Sequence, residues 1–289
     1  MEAPRSETIL PAHGLRVFAS GSMGNCSLLR VTLEGSPRHY LIDLGLSPRR
    51  TRTHLAACGL TLHDLEGVFI THFDSDHCHP GWCTAIEPAL PRHVEIFLHR
   101  SHLRRSQRLG LQAARFAPFR DGFNTPSGLP VRVVLSAHDE LGASVFRIST
   151  PGGELGFATD LGRATDALVS HLRGVHVLAI ESNYCPDLEL SSGRPPQLIR
   201  RVMGGHGHLS NEQAFEAIRH IAPRDHVVLL HLSQECNTPD LARRLHEGLG
   251  YPLTISLQHE PTPWVPLARA GDAATVTLRP RLEQAMLFR

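Results

Sequence analysis

Lysine is absent from this 289-residue chain, so its 29 basic residues are all arginine, and the formal net charge is only +1. A near-neutral chain generates no strong global field for nucleic acid, and any anion must be met by guanidinium groups, amides or imidazoles. Aromatic residues make up only 6% of the chain, too few to interleave with the arginines as a base-stacking platform. No apolar run approaches the roughly 20 residues that span a bilayer. The N-terminus, MEAPRSETILPAHG, is acidic and proline-broken, with no apolar run behind a basic start, so a cleaved secretory signal is not expected and a cytoplasmic location is. The six cysteines show no paired metal-knuckle spacing and read as reduced, small hydrophobic residues.

What is present is an alternation of strand-like and helix-like runs. Strands are expected at 15–20, 27–33, 39–45, 67–72, 94–99, 131–138, 144–150, 155–162, 175–182 and 226–233. Between them lie helical stretches: RTRTHLAACG stopped by Gly59, the arginine-rich SHLRRSQRLGLQAARF, NEQAFEAIRHI behind a Ser210/Gln213 capping box, and PDLARRLHEGLG ending at Gly250. No linker or fixed-period repeat interrupts the pattern, so residues 1–289 are expected to form one α/β domain.

The chemistry concentrates in ITHFDSDHCHPGW, residues 70–82, where three histidines and two aspartates follow an apolar strand. A contiguous loop of this kind can aim His72 and Asp74 at one metal, and Asp76 and His77 at a second. His138, Asp160 and His231 each sit at or just beyond the end of an expected strand. Polar groups at several strand ends can converge on one rim, where rigid elements hold ligands in place. Taken singly, each of these three is equally well a satisfied loop residue. Together they would complete two sites sharing Asp160, with a water acidified between metals about 3.5–4 Å apart.

These residues resemble the metallo-β-lactamase fold superfamily, whose hallmark is T-H-x-H-x-D-H-x-x-G. Here it runs Thr71-His72-Phe73-Asp74-Ser75-Asp76-His77-Cys78-His79-Pro80-Gly81, with Asp74 in the second-ligand slot and the glycine one residue late. SGSMGNC, LIDLGLS, AHDE, ATDLG, ESNYC, GHLSN and LLHLSQECN follow in the order of the YycJ/WalJ-like branch of metal-dependent hydrolases. The resemblance implies a four-layer αβ/βα sandwich with its active site along one edge. It assigns His72, Asp74 and His138 to the first metal and Asp76, His77 and His231 to the second. Asp160 bridges, and Asp43 supports the metal loop from behind. A carboxylate at position 74 lowers the site charge by one and hardens it; zinc is the first expectation, with Mn2+ or Fe2+ as alternatives.

Other features carry narrower expectations. His208, in a flexible glycine loop before a helix, is a candidate for leaving-group protonation or, in place of His231, for the last ligand. Asp76 is the other candidate catalytic residue. Ser22 and Asn25 in the glycine turn, Ser182, Asn183, and Arg104 and Arg108 of the arginine cluster are candidate substrate contacts. On a helix, Arg104, Arg108 and Arg115 would share one face. His79, His99, His102 and His206 read as structural or exposed. The expected activity is hydrolysis of a phosphodiester, as in a nuclease acting on nucleic acid, by a metal-bound hydroxide. The rivals are hydrolysis of a small phosphodiester or another ester or lactone, and a metal-binding regulatory protein without turnover.

Overall fold

Most strands here are apolar on both faces, which requires each sheet to be covered twice. The computed structural model describes residues 10–83, 90–109, 115–267 and 275–276. The strands are β1 (Leu10–Pro11), β2 (Gly14–Ala19), β3 (Cys26–Leu33), β4 (Ser36–Ile42), β5 (Leu65–Ile70), β6 (Glu95–His99), β7 (Phe116–Phe119), β8 (Gly122–Asn124), β9 (Pro130–Leu135), β10 (Ser144–Thr150), β11 (Gly153–Ala158), β12 (Val177–Glu181), β13 (His226–Leu230), β14 (Leu253–Ile255), β15 (Val265–Pro266) and β16 (Thr275–Val276). Among the described residues they form two seven-stranded sheets, ordered β15-β2-β3-β4-β5-β6-β7 and β14-β13-β12-β11-β10-β9-β8, while β1 pairs with β16.

Alternation along the strands builds the layers. Tyr40, Ile42, Phe69 and Phe97 of the first sheet meet Phe146, Phe157, Val177 and Val228 of the second in the central core. Phe69 bridges the sheets, its ring 5.5 Å from Phe97 and 5.9 Å from Phe146. The opposite face of the first sheet, with Leu41, Val68, Ile70 and Leu98, packs on Leu55 of helix α1 (Pro48–Ala56). Further along the chain come α2 (Leu103–Arg108), α3 (Asp166–Leu172), α4 (Pro186–Ser191), α5 (Pro196–Met203), α6 (Asn211–Ile221) and α7 (Pro239–Arg244), and α3 and α6 cover the outer face of the second sheet. The result is the expected four-layer αβ/βα arrangement. Helix α6 opens on the Ser210/Gln213 capping box and buries Ala214, Ala217, Ile218 and Ile221, one stripe at helical spacing.

Three expectations change. Helix α1 is capped at Ala57, and Gly59 instead carries the turn beyond it at φ 71°. The arginine-rich helix is described only over Leu103–Arg108, with 110–114 outside the described residues. Arg115 therefore shares no helical face with Arg104 and Arg108; its guanidinium donates to the carbonyls of Leu90 and Pro91. The last helix stops at Arg244, short of Gly250.

Topology decides where the polar strand ends go. β4 and β5 run parallel, as do β11, β12 and β13. β2 is antiparallel to β3, which is antiparallel to β4, so β2 and β4 share a direction; by the same step β9 runs with β11. The C-terminal ends of all these strands thus open on one edge of the sandwich.

Candidate metal centre

That edge gathers Asp43 after β4, His72 to His77 after β5, His138 after β9, Asp160 after β11, Glu181 closing β12 and His231 after β13. Asp43, Asp160 and His231 have φ of 64°, 55° and 57°, a left-handed turn that non-glycine residues seldom adopt. The chain reverses immediately at each strand end and drops the side chain onto the shared rim.

Three potential ligand groups result: His72, His138 and Asp160; Asp76, His77 and His231; and Asp160, His208 and His231. Asp160 is common to the first and third. Its Oδ2 lies 2.9 Å from His77 Nε2, and its Oδ1 lies 3.9 Å from His138 Nε2 and 3.8 Å from His231 Nε2. Asp76 Oδ2 is 3.3 Å from His231 Nε2 and 3.6 Å from His77 Nε2.

Hydrogen bonds to the far ring nitrogens aim these imidazoles. His77 Nδ1 donates to Asp43 Oδ2 at 2.7 Å, and His138 Nδ1 donates to the Gly207 carbonyl at 3.0 Å. Asp43 Oδ1 also accepts from Thr71 N at 2.8 Å, and Asp43 Oδ2 from Thr71 Oγ1 at 2.8 Å, leaving Thr71 Oγ1 to accept from His72 Nδ1 at 3.1 Å. The Nε2 lone pairs of His72, His77 and His138 consequently face the rim, the arrangement by which a ligand histidine is oriented through its other nitrogen. His72 Nε2 is buried without any hydrogen-bond partner, which is costly for a polar atom unless an ion completes it.

The charge balance points the same way. Among the described residues the ion-pair partners of Asp76 and Asp160 are all imidazoles. Burial opposes a proton on His77, yet Asp160, Asp43 and Asp76 hold its pKa well above the ordinary histidine range. Burial first, then the charge of His77, hold His72 well below it. A proton thus fills part of a role that a divalent cation can take over, and metal binding here would release protons. The donor set of imidazoles and carboxylates suits zinc or a harder first-row ion.

Asp74 lies apart from these three groups. Its Oδ1 accepts from Arg105 Nη2 at 2.6 Å, and its Oδ2 is 3.9 Å from His72 Nε2. His208 is better held than a flexible glycine loop suggests. Gly207 is packed so tightly that a Cβ there would come within 2.5 Å of the Arg201 carbonyl, and His208 Nδ1 sits 2.8 Å from the buried Glu181 Oε1. Burial works against its charge, but Glu181 and then Asp160 raise its pKa to about 9. Its ring stacks on His231 at 5.1 Å.

The expected substrate contacts are placed differently from one another. Asn25 is buried, with Nδ2 3.0 Å from His77 Nε2 and donating to the Asp76 carbonyl at 3.2 Å. Asn183 Nδ2 donates to the His231 carbonyl at 2.6 Å and lies 3.1 Å from His231 Nδ1. Both therefore touch the ligand loops. Ser182 donates to Asn211 Oδ1 inside the protein. Ser22 is exposed on the glycine turn, as are Arg104 and Arg108 on α2. His79 accepts from Gly81 N, His99 bonds Ser101, His102 donates to the Gly142 carbonyl, and His206 is exposed. Glu181 and Arg105 were not singled out as site residues by sequence reasoning. Glu181 carries the same signal as Asp43 and Asp160, an acid terminating an apolar strand; Arg105 has none.

The geometry defines a metallo-β-lactamase fold with a histidine–aspartate centre along its edge. Residues 38–232 match the family model of the beta-lactamase superfamily domain, and the chain belongs to that family. It is 28% identical over 230 residues to the exodeoxyribonuclease WalJ of Streptococcus pneumoniae, covering 78% of this chain and 84% of that protein. It is likewise 28% identical over 236 residues to the exodeoxyribonuclease YycJ of Bacillus anthracis, covering 78% and 85%. Among solved structures, the metallo-β-lactamase fold protein YhfI of Bacillus subtilis superposes with a TM-score of 0.62 at 14% identity, over 86% of this chain and 99% of that one.

Proposed function

We propose that this protein is a metal-dependent phosphodiesterase acting on DNA, with two divalent cations, zinc first and Mn2+ or Fe2+ as alternatives. The observation that carries the reading is the pair of ligand groups, His72/His138/Asp160 and Asp76/His77/His231, lying against one another through Asp160. The first group would hold one ion and the second the other, with Asp160 between them. Divalent ions bound there supply positive charge to phosphate oxygens and lower the pKa of water.

The protein's own groups do the rest. Asp43 fixes the ring of His77, and Asn183 holds the His231 turn through its carbonyl. His208, protonated near neutral pH and braced by Glu181, donates a proton to the leaving oxygen. Asp76, partly exposed beside His77 and His231, takes a proton from the attacking water. DNA is supported by the names of the relatives and by the exposed Arg104 and Arg108 on the helix that carries Arg105, which would follow the phosphate backbone.

Hydrolysis of bis(p-nitrophenyl) phosphate and of end-labelled DNA, with added zinc or manganese, tests this. His208→Ala is expected to slow turnover by about 10²–10⁴-fold with metal content unchanged, and His77→Ala to lose both metal and activity. No turnover with any metal, together with wild-type metal content in His77→Ala, would sink the proposal.

A further inference from the structure

An aspartate at the second-ligand position brings one more negative charge than the neutral imidazole of the family pattern, and Arg105 meets that charge directly. Its Nη2 donates to Asp74 Oδ1 at 2.6 Å, while Nη1 donates to Asp139 Oδ2 at 3.2 Å. Asp139 is itself fixed, its Oδ1 accepting from Leu141 N at 2.7 Å and Gly142 N at 3.1 Å, and it follows His138 in the chain. The helix bearing Arg105 is tied to the same loop, because His102 Nε2 donates to the Gly142 carbonyl at 2.9 Å. One guanidinium therefore joins the two loops that carry His72 and His138. It leaves Asp74 Oδ2, 3.9 Å from His72 Nε2, as the oxygen nearer the first ligand group.

We propose that Arg105 is a positioning residue that compensates Asp74. The Asp74–Arg105 pair presents the first metal with the same net charge as the imidazole it replaces, and it withholds one carboxylate oxygen from the ion. The inference rests on the two-metal reading above. It has a specific consequence: the first site is weaker in the native protein than its ligands allow, and removing Arg105 tightens it. Both side chains are about one-third exposed, at 36% and 29%, so solvent moderates the effect. Contacts of this kind correspond to about a fivefold change in affinity.

The test is a Mn2+ titration of the full chain by calorimetry and electron paramagnetic resonance, which resolves the two binding events without activity. Arg105→Gln is expected to tighten the weaker event about fivefold and leave the tighter one in place, while Arg105→Lys stays near wild type. Asp74→His, which sets an imidazole against a guanidinium still paired only with Asp139, is expected to bind about fivefold more weakly at that site than Asp74→His/Arg105→Gln. If wild type binds two ions and Arg105→Gln binds them equally well or less tightly, the compensation is refuted and the two-metal reading survives. If folded wild type binds no divalent ion, both fall together.

Discussion

Replacing Asp43 with asparagine removes the one acceptor that aims both His72 and His77. The carboxylate is buried and takes four contacts: Thr71 N at 2.8 Å and Thr71 Oγ1 at 3.0 Å on Oδ1, Thr71 Oγ1 at 2.8 Å and His77 Nδ1 at 2.7 Å on Oδ2. An amide offers one acceptor oxygen and one donor nitrogen, so it cannot serve Thr71 N and His77 Nδ1 together. If its oxygen faces Thr71, then His77 Nδ1 meets an N–H and must lose its proton, moving that proton to Nε2, the atom 2.9 Å from Asp160 that would bind metal. If its oxygen faces His77, Thr71 N is a buried donor without a partner, at a cost of about 1–3 kcal/mol. Either outcome predicts metal affinity lower by about 10–100-fold, the usual effect of removing such a support, or about 1.4–2.8 kcal/mol. Burial already holds the Asp43 pKa above the usual carboxylate range, so keeping that charge inside is itself unfavourable. The metal-free Asp43→Asn protein should thus lose at most about 1–3 kcal/mol against metal-free wild type, and a further deficit should appear when metal is added. Chelator-competition titration with zinc and paired melts with and without metal provide the readout. Affinity within twofold of wild type would refute the reasoning.

Two further perturbations probe the frame around the site. A Cβ on Gly45 would lie 1.8 Å from the Asp76 carbonyl and 2.4 Å from Asn25 N, so Gly45→Ala must displace the metal loop; a loss of about 1–3 kcal/mol in urea denaturation with weakened metal binding is expected, and a neutral result would mean the loop yields freely. His39 is buried with Nε2 3.2 Å from Arg30 Nη1 and Nδ1 3.3 Å from the Asp64 carbonyl, and burial first, then Arg30, hold its pKa down to about 4 from 6.5. The unfolded chain binds the proton more readily, so this stability is fully present above pH 6.5 and is lost as pH falls through about 4, to a limit of about 3 kcal/mol; a urea midpoint whose fall over that range is the same in wild type and His39→Gln would contradict it.

How far the site could be read from the chain depends on separation in sequence. Apolar runs that end abruptly in a single acid or histidine mark Asp43, His72, His138, Asp160 and His231, because a polar group is most easily presented to a shared rim where a buried strand stops. That they share one edge follows from parallel β4–β5 and β11–β12–β13, which alternating helices and strands imply. Arg105 follows from neither rule. It reaches Asp74 across 31 residues through a short helix whose arginines look alike in sequence. The sequence expectation falls on Arg104 and Arg108 instead, and both face solvent. The register of a six-residue helix against a loop is decided by packing, here by His102 on Gly142, which no local pattern records.

The same edge brings several costly features to one point. Three non-glycine residues turn left-handed at strand ends, Asp43, Asp160 and His231, each at a cost of about 1–3 kcal/mol. Asp160 is buried beside partly exposed Asp76 with only imidazoles to balance them, and His72 keeps a buried nitrogen without a partner. None of this improves packing, and the apolar core 0–5% exposed around it shows that the chain can bury side chains without such compromises. Strain, uncompensated acid and an orphaned lone pair become favourable together under one condition, the arrival of positive charge at the point they surround. A protein held this way is expected to gain stability with the logarithm of free divalent ion once its concentration exceeds Kd, and the gain should vanish when His72 and His77 are both replaced by alanine.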